Sequence, residues 1–495
     1  MPAKESIVPA FRMKWFYLVT IIYLVASVYL IIHQKYWGFL FPIGVLFIFF
    51  FLFSLDFVWI MAVASTPLAI NMADSELGFG VSIPSEPLMF GLLIIFFIKL
   101  FYERQYDWKI LRHPISVVIL IQLLWMLLTC INSEIPIVSF KYLLSRLWFV
   151  VPFFFMGVLL FRDHRFIWRF FWAYLIPLGV VVVYSTVHHA SFGFNEEIGN
   201  SVMTPFYNDH TAYGAILALM LPPALVLSFN RDFSFYVRLA GVGVLTLLLI
   251  GLFLSYSRAA WIGSFAGLAV AIAVWLKIKF KYIFLAIASI VTVFSVFQRE
   301  ILDRLEKNKQ DSSANFVEHV RSISNISSDA SNLERINRWQ AAFRLTKERP
   351  LLGWGPGTYQ FVYAPYQMTR EKTIISTNAG DKGNAHSEFI GPMSEQGIPG
   401  MLIVVALVIV VVYYGLSLRH KLTDRRMRAV SLAVTVGLIT YFVHGLLNNF
   451  LDTDKLSVPV WAFIAMLVSL DVYSRGERKG EADNASESEI PTDLC

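Results

Sequence analysis

Long apolar runs recur along most of the chain, and each is continuous rather than alternating with polar residues. A run of about 20 apolar residues is long enough to cross a bilayer as an α-helix. Barrel strands would alternate apolar and polar positions, so continuous runs favour helices. We therefore predict an all-α, polytopic integral membrane protein with about 12–14 transmembrane helices. The pattern leaves open whether the block 38–71 forms two short helices or something less regular. The predicted spans are 15–33, 38–54, 57–71, 86–102, 114–131, 142–161, 166–186, 211–229, 237–254, 258–276, 281–297, 398–418, 428–448 and 456–473.

A long polar segment interrupts the apolar runs and predicts a large loop outside the membrane that contains short helices. Within it, "NLERINRWQAAFRLTKERP" predicts an amphipathic helix with Ile336, Trp339 and Phe343 on its apolar face. A second short helix is predicted to begin near Asn384, which could cap it. The polar composition of the C-terminal tail predicts disorder. The predicted parts are a helix bundle over 1–297, the loop over 298–397, further spans over 398–473 and the tail over 474–495.

Composition and charge fit this class. Of the 495 residues, 57% are hydrophobic and 15% charged, whereas about a quarter of the residues in soluble domains are charged. The net charge of +6 is no evidence for nucleic-acid binding, because excess Lys and Arg gather in cytoplasmic loops. Basic loops such as "RHKLTDRRMR" alternate with loops poor in Lys and Arg. This alternation predicts that both termini are cytoplasmic and that the long loop is on the outer side, the periplasm in a bacterium.

Cysteine usage adds one further restriction. Cys130 lies in a predicted span and Cys495 is the last residue, which argues against a disulfide framework.

A basic candidate on the predicted outer side is Arg258 in "LSYSRAAW", where a span begins. A guanidinium group suits bidentate binding of phosphate oxygens, and the Ser257 hydroxyl lies beside it. The alternative is that Arg258 only extends to lipid headgroups.

Two further arginines, Arg335 and Arg338, are spaced i and i+3 on the predicted loop helix, which allows an anion clamp. The following "GWGPG" contains Gly353 and Gly355, whose missing side chains would let backbone approach a ligand. It lacks the Lys-Ser/Thr of a phosphate-binding loop. The alternative is a solvated helix face.

A candidate general base is His386 in "GNAHSEFIGPMSEQGIPG", where the loop re-enters the membrane. The predicted helix start beside it would disfavour imidazolium and keep the ring neutral, so that it accepts a proton from a hydroxyl group. Glu388 and Glu395 are two helical turns apart, and one of them could orient the histidine. Alternatively, both face water.

Weaker candidates complete the set. "NDHTAYG" places Asn208 and His210 at the outer entrance of a span, and His444 is an intramembrane ionisable residue. The Asp-x-Asp at 452–454 resembles a metal motif of sugar-nucleotide transferases, but two residues define it and it occurs often by chance. We predict no metal site. From the residues alone, an outer-facing site for a lipid-linked anionic substrate is indicated, and an anion transporter stays open.

The order "LSYSRAAW", "NLERINRWQAAFRLTKERPLLGWGPGTYQF", "NAHSEFIGPMSEQGIPG" resembles the O-antigen ligase/polymerase superfamily of bacterial envelopes. The resemblance covers about residues 200–450, and the first 190 residues match only in hydropathy. The family's span-opening arginine falls on Arg258, its loop arginine on Arg335 and its histidine on His386. The family usually has Asn where this chain has His210.

The resemblance implies a cofactor-free, metal-independent, inverting transferase in the bacterial inner membrane. It would pass a glycan from undecaprenyl diphosphate to an acceptor sugar in the periplasm, with Arg258 and Arg335 on the diphosphate and His386 as base. The implied partners are that donor, lipid A-core or a glycan as acceptor, and membrane lipids. We expect a ligase. The alternatives are a polysaccharide polymerase or a protein O-oligosaccharyltransferase of the same superfamily, and, less favoured, an anion transporter.

Overall fold

The computed structural model describes residues 10–33, 54–72, 80–103, 106–278, 330–372, 376 and 383–488. This part of the chain is almost entirely helical, which confirms the predicted all-α class; its strand structure is one two-residue antiparallel pair, β1 (Ile70–Asn71) with β2 (Ser82–Ile83). The α-helices are α1 Ala10–Ile32, α2 Leu55–Ser65, α3 Ser85–Glu103, α4 Trp108–Leu111, α5 Pro114–Ile131, α6 Pro136–Val150, α7 Gly157–Leu160, α8 His164–Ser191, α9 Glu196–Gly199, α10 His210–Phe229, α11 Phe235–Leu254, α12 Arg258–Trp275, α13 Ala330–Glu348, α14 Tyr359–Val362, α15 Ile390–Glu395, α16 Gly397–Lys421, α17 Arg425–His444 and α18 Asp454–Ser488.

Ten helical segments among the described residues are long and apolar enough to cross a membrane, which confirms a polytopic membrane protein. The predicted spans 38–54 and 281–297 lie outside the described residues. Where a span is predicted over 57–71, the structure has the 11-residue helix α2 and a 3-10 turn, Thr66–Leu68. Pro67 accounts for this early end, because the residue before a proline is disfavoured in the α conformation. The ten segments are Ser85–Tyr102, Pro114–Ile131, Pro136–Leu160, His164–Ser191, His210–Phe229, Phe235–Leu254, Arg258–Trp275, Gly397–Lys421, Arg425–His444 and Asp454–Tyr473.

The chain divides into two compact units, Met1–Val58 and Trp59–Cys495. In the first unit, α1 exposes large apolar side chains such as Ile21, Leu24 and Val25. Such an apolar exposed surface is typical of a helix that faces lipid. All features below belong to the second unit.

The centre of the second unit is α18. Its segment Asp454–Tyr473 is 89% buried, compared with 22% for Gly397–Lys421 and 28% for Phe235–Leu254. A helix that is apolar all round and buried on all sides lies inside a bundle, whereas apolar helices with exposed faces meet lipid. The bundle is therefore built around α18, with α11 and α16 at its lipid-facing surface.

Glycines allow α10, α12 and α17 to pack closely. A Cβ on Gly214 of α10 would lie 2.7 Å from the Ser257 Cβ, and one on Gly263 of α12 would lie 2.5 Å from the Thr440 oxygen of α17. Small residues commonly let helix backbones approach in membranes. These contacts bring the first turns of α10 and α12 to the last turn of α17. We call this end of the bundle, marked by His210, Arg258 and His444, the site end.

Basic side chains tie the opposite ends of the same helices together. Arg419 Nη1 donates to the Val274 oxygen at 2.9 Å, and Lys421 Nζ donates to Asp471 Oδ1 at 3.0 Å. Arg426 Nη2 donates to the Asp232 oxygen at 3.0 Å in the turn before α11. We call this the basic end of the bundle.

The backbone of the last helix extends into the segment that is predicted to be disordered, and the disorder of the tail stays a prediction. The backbone of α18 continues as a helix to Ser488, through "RGERKGEADNASES". Arg, Glu, Lys and Ala are good helix formers, and they continue a helix already nucleated in the bundle. Residues 489–495 lie outside the described part.

Candidate functional site

The loop helix α13 buries polar side chains in its first half and apolar side chains in its second half. Phe343 of the predicted apolar stripe is 41% exposed, whereas Glu334 and Asn337 are 3% and 0% exposed. Asn337 Nδ2 donates to Gln367 Oε1 at 2.7 Å, and the Ser376 hydroxyl donates to Glu334. These hydrogen bonds explain how polar groups are tolerated inside the loop domain. Of the predicted apolar stripe, the other two side chains are half-buried, and polar partners from later in the loop cover the neighbouring side of the helix.

Arg338 is engaged by protein groups. Its Nε donates to Glu334 Oε1 at 2.9 Å, and its Nη1 donates to the Asn384 oxygen at 3.2 Å. Its guanidinium carbon also lies 5.5 Å from the Tyr363 ring centroid. Arg338 thus holds the start of the segment that carries His386.

His386 has an unusual backbone. Its φ is +47°, a left-handed conformation that is uncommon for a residue with a side chain. The His386 amide donates to Asn384 Oδ1 at 3.1 Å, a local turn that asparagine favours. The preceding Ala385 is packed into a cluster with Tyr359 and Tyr363. The position of the histidine is therefore fixed by its neighbours.

The His386 ring is held neutral, but not for the predicted reason. Burial, followed by the charges of Arg338 and Arg335, lowers the pKa of His386 to about 4. The helix predicted to begin near Asn384 in fact begins at Ile390, four residues after His386, so this helix does not start beside the ring. Asn384 instead closes the turn described above. The ring is uncharged and able to accept a proton at neutral pH.

Glu388 joins the His386 segment to the turn after α17. Its Oε1 accepts from the Tyr441 hydroxyl at 2.6 Å and from the Phe450 and Leu451 amides at 2.7 and 2.9 Å. Its own amide donates to the Gly445 oxygen at 2.8 Å. Glu388 is thereby an anchor between two segments.

Glu395 lies at the other end of the short helix α15. Its Oε1 accepts from the Tyr359 amide at 3.1 Å, and burial raises its pKa to about 7. Glu388 precedes α15, so the expectation that the two carboxylates share a helix face is wrong. Among the described residues, no hydrogen bond joins either of them to His386.

Other segments of the protein pack closely against Gly353 and Gly355. Both have positive φ, +66° and +110°. A Cβ on Gly353 would lie 2.6 Å from the Gln396 nitrogen, and one on Gly355 would lie 2.7 Å from Ser139 Oγ. The glycine-rich turn is thus wedged between α15 and the start of α6, and the close backbone approach expected of a ligand is made here by the protein itself.

At the site end, side chains cap the starting helices. Ser257 Oγ accepts from the Ala260 amide at 3.4 Å, so Ser257 is the N-cap of α12 and sets Arg258 as its first residue. Asp209 caps α10 through the Thr211 amide at 2.8 Å and lies 3.3 Å from His210 Nδ1. Asn208 is exposed.

Three histidines from distant segments share the same charged neighbours. The charges of Arg335 and Asp209 both act on His210, His386 and His444. The structure therefore brings α10, the His386 segment, the end of α17 and the start of α13 to one place. Gly214 and Gly263 bring the first turn of α12, which carries Arg258, to the same end.

Sequence reasoning missed Arg146. It lies within a membrane segment, is 7% exposed, and donates from Nη2 to the Tyr142 hydroxyl at 2.9 Å. Its charge interacts with Glu388 and Asp452. An arginine inside an apolar run was the available signal, because such residues are costly in lipid and usually functional.

Asn448 was missed as well. It is 2% exposed, and the asparagine pair in "LLNNF" carries no recognisable pattern. No group of three or more His, Cys, Asp and Glu among the described residues is arranged to hold a metal ion.

Comparison with known proteins matches the region that carries most of the candidate site residues. Residues 243–405 match a family model described as O-antigen ligase. The curated proteins give no match. The matched region contains Arg258, Arg335, Arg338, the glycine-rich turn and His386. His210 and His444 lie outside it and join the site only through the tertiary structure.

Proposed function

We propose that the chain, of which residues 243–405 match the O-antigen ligase family model, transfers a glycan from undecaprenyl diphosphate to an acceptor sugar. The observation that carries this proposal is a neutral histidine, His386, under the influence of the arginine charges at the site end. A neutral imidazole serves as a general base for a hydroxyl group, and guanidinium groups stabilise a departing diphosphate.

The reaction balances with these groups. The acceptor oxygen attacks the anomeric carbon, and its proton passes to His386. The bond between that carbon and the diphosphate oxygen breaks, which inverts the configuration. The electron pair leaves on the diphosphate, where Arg335 and Arg258 offset the new charge. A base of this kind contributes about 10²–10⁴ in rate, and a preorganised cation about 10²–10³.

Donor binding would prepare the base. In the free protein, the guanidinium charges help to lower the pKa of His386 to about 4, which makes it a weak base. A bound diphosphate opposes those charges and raises the pKa of the imidazole. The histidine would thus become a stronger proton acceptor when the donor is in place.

A membrane cavity supports a donor with a hydrocarbon chain. A cavity of about 550 Å³ lies between α10, α11, α12 and α17 and is lined almost only by apolar side chains. Trp261 in its wall follows Arg258 by three residues, and Thr440 precedes His444 by four. The upper edge of the cavity therefore lies about one helical turn below the site end, and its lining continues to Ala429 near the other end of α17, as expected for the chain of a diphosphate-linked carrier.

The charge distribution supports an outer-facing site. Arg419, Lys421 and Arg426 lie at the basic end, and basic residues mark the cytoplasmic side. We accordingly place the site end in the periplasm and the protein in the bacterial inner membrane, and the cytoplasmic side of both termini stays a prediction from the loop charges of the sequence. Lipid A-core is the acceptor that we propose.

Glycan transfer in a deletion strain tests the function. The strain is complemented with wild type, His386→Ala or the control His420→Ala, which changes a histidine at the basic end. We expect wild type and His420→Ala to restore transfer, and His386→Ala to lose it by about 10²-fold or more at equal membrane levels. Normal transfer by His386→Ala would exclude this base.

The same strain separates the acceptor classes. Without the protein, complete chains left on carrier lipid indicate a ligase, and single repeat units indicate a polymerase. Unchanged envelope glycans together with loss of glycosylated protein would indicate a protein O-oligosaccharyltransferase.

A further inference from the structure

The turn after α17 contains buried polar atoms that lack partners. His444 is 1% exposed, and neither of its ring nitrogens has a hydrogen-bond partner among the described residues. Asn448 is 2% exposed, and within the same part of the chain its Nδ2 has none. Asn449 Oδ1 is in the same situation. Native proteins rarely leave buried polar groups unpaired, so several in one turn need an explanation.

The backbone of this turn is held in place by hydrogen bonds to Glu388. The Gly445 oxygen accepts from the Glu388 amide at 2.8 Å, and the Phe450 amide donates to Glu388 Oε1 at 2.7 Å. The Phe450 ring packs on His444 with centroids 5.8 Å apart. The unpaired atoms are therefore fixed on a rigid support, as in a preorganised binding site.

The same anchor places the turn beside the proposed base. Glu388 follows His386 by two residues, and the charge of Arg335 acts on both His386 and His444. Trp339, one turn beyond Arg335 on α13, also has a buried indole N–H without a partner in the described chain. Buried donors and acceptors without described partners thus lie on the turn that is anchored to the His386 segment, and a further one lies on α13 close to Arg335 in sequence.

The chemistry of these groups selects the ligand. Amide, imidazole and indole groups offer donors and acceptors without the charge that phosphate recognition uses. Sugar hydroxyl groups both donate and accept and match such a set. We propose that His444 and Asn448 form a subsite for the hydroxyl groups of a sugar ring. The inference rests on the proposed glycan transfer, and the ring belongs to either the donor or the acceptor.

Binding to the purified, membrane-embedded protein tests the subsite independently of transfer. The probes are undecaprenyl diphosphate with one sugar residue, the same carrier without sugar, and lipid A-core. For Asn448→Leu, which keeps the size and removes the amide, we expect a Kd increase of about 3- to 10-fold for a sugar-bearing probe, the loss of one hydrogen bond. Binding of the sugar-free carrier should not change.

The melting temperature distinguishes this role from a structural one. Because Asn448 Nδ2 has no partner among the described residues, Asn448→Leu removes no hydrogen bond of that atom and should not lower the melting temperature. His444→Phe keeps an aromatic ring but removes both ring nitrogens. It should likewise raise the Kd for a sugar-bearing probe and leave the melting temperature unchanged. Asn230→Leu at the basic end is the matched control and should leave all three Kd values unchanged.

Each outcome is decisive. Weaker binding of the sugar-bearing carrier assigns the subsite to the donor, and weaker binding of lipid A-core assigns it to the acceptor. Unchanged Kd values for both sugar-bearing probes in both variants would overturn the proposal. If wild type shows no transfer while the binding difference persists, the proposed function fails and the subsite stands.

Discussion

Arg335 and Arg338 lie one turn apart on α13, but their guanidinium groups have different surroundings. Arg338 is paired with Glu334 at 2.9 Å and holds the Asn384 oxygen at 3.2 Å. The charges of both arginines act on His386, and that of Arg335 also acts on His210 and His444. At the scale of the residue, Arg338 is a positioning residue and Arg335 the better candidate for the diphosphate.

The pH dependence of transfer follows from these charges. His386 has a pKa lowered to about 4, so it gains a proton, and ceases to be a base, only as pH falls through about 4. In Arg335→Gln one cause of the lowering is removed, and the pKa of His386 rises toward its ordinary value of about 6.5. The acidic limb of kcat/KM, which reports the free enzyme, should move to higher pH.

The control for this shift is Arg344→Gln. Arg344 lies on the same helix, but it is paired with Glu371 at 2.5 Å and is not among the charges that act on His386. The acidic limb of kcat/KM for Arg344→Gln should therefore match that of wild type. An unmoved limb in Arg335→Gln would show that Arg335 does not influence the base.

At the scale of elements, the glycine-rich turn and α15 form one packed unit. The Trp354 and Gly355 amides donate to the Ser394 and Glu395 oxygens at 3.1 and 2.8 Å. On its other side, Ser139 Oγ donates to the Pro356 oxygen at 2.8 Å. The turn therefore connects the loop domain to the membrane bundle and supports the segment that carries His386.

Adding a methyl group to this turn should destabilise the protein. Gly355→Ala meets Ser133 and Ser139 and forces alanine to a φ of +110°, so we expect a loss of more than about 1 kcal/mol in the free energy of unfolding. Thermal unfolding in detergent measures it. Gly243→Ala on α11, where nothing lies within 4 Å, is the control and should be neutral or slightly stabilising. Equal melting temperatures for both variants would contradict this account of the turn.

At the scale of the whole molecule, the bundle separates two chemical environments. Basic side chains gather at one end, and the histidines with Arg258 and Arg335 lie at the other. The apolar cavity opens about one turn below the second end. This arrangement suits a substrate with a charged head and a long hydrocarbon tail.

Filling the cavity should affect long-chain donors selectively. Ala433 lines the cavity and is 5% exposed, so Ala433→Phe would occupy space needed by the chain. We expect KM for an undecaprenyl-linked donor to rise about tenfold, about 1.4 kcal/mol of binding, and KM for a donor with a short, water-soluble chain to stay close to wild type. Transfer kinetics with both donors measure the difference.

The control for cavity filling is Val180→Phe, because Val180 is 53% exposed on α8 and does not line the cavity. It should not alter KM for either donor. An equal rise for long and short chains in Ala433→Phe would show that the cavity does not hold the hydrocarbon chain.

The sequence by itself determined the membrane class and most spans. A continuous apolar run of sufficient length has one stable form in lipid, a helix whose backbone groups are paired within the segment. The order of the Arg258, Arg335 and His386 motifs also sufficed to find the resemblance to O-antigen ligases, whose family model matches residues 243–405, because these signals are local in the chain.

Only the tertiary structure decided which polar groups meet. Glu388 pairs with Tyr441 and the Phe450 amide, and Arg146 interacts with Glu388 across the bundle. The same holds for the buried face of α13, where Gln367 and Ser376 cover the polar side chains. Local periodicity cannot specify such pairs, because burial of a polar group depends on partners that folding brings from distant parts of the chain.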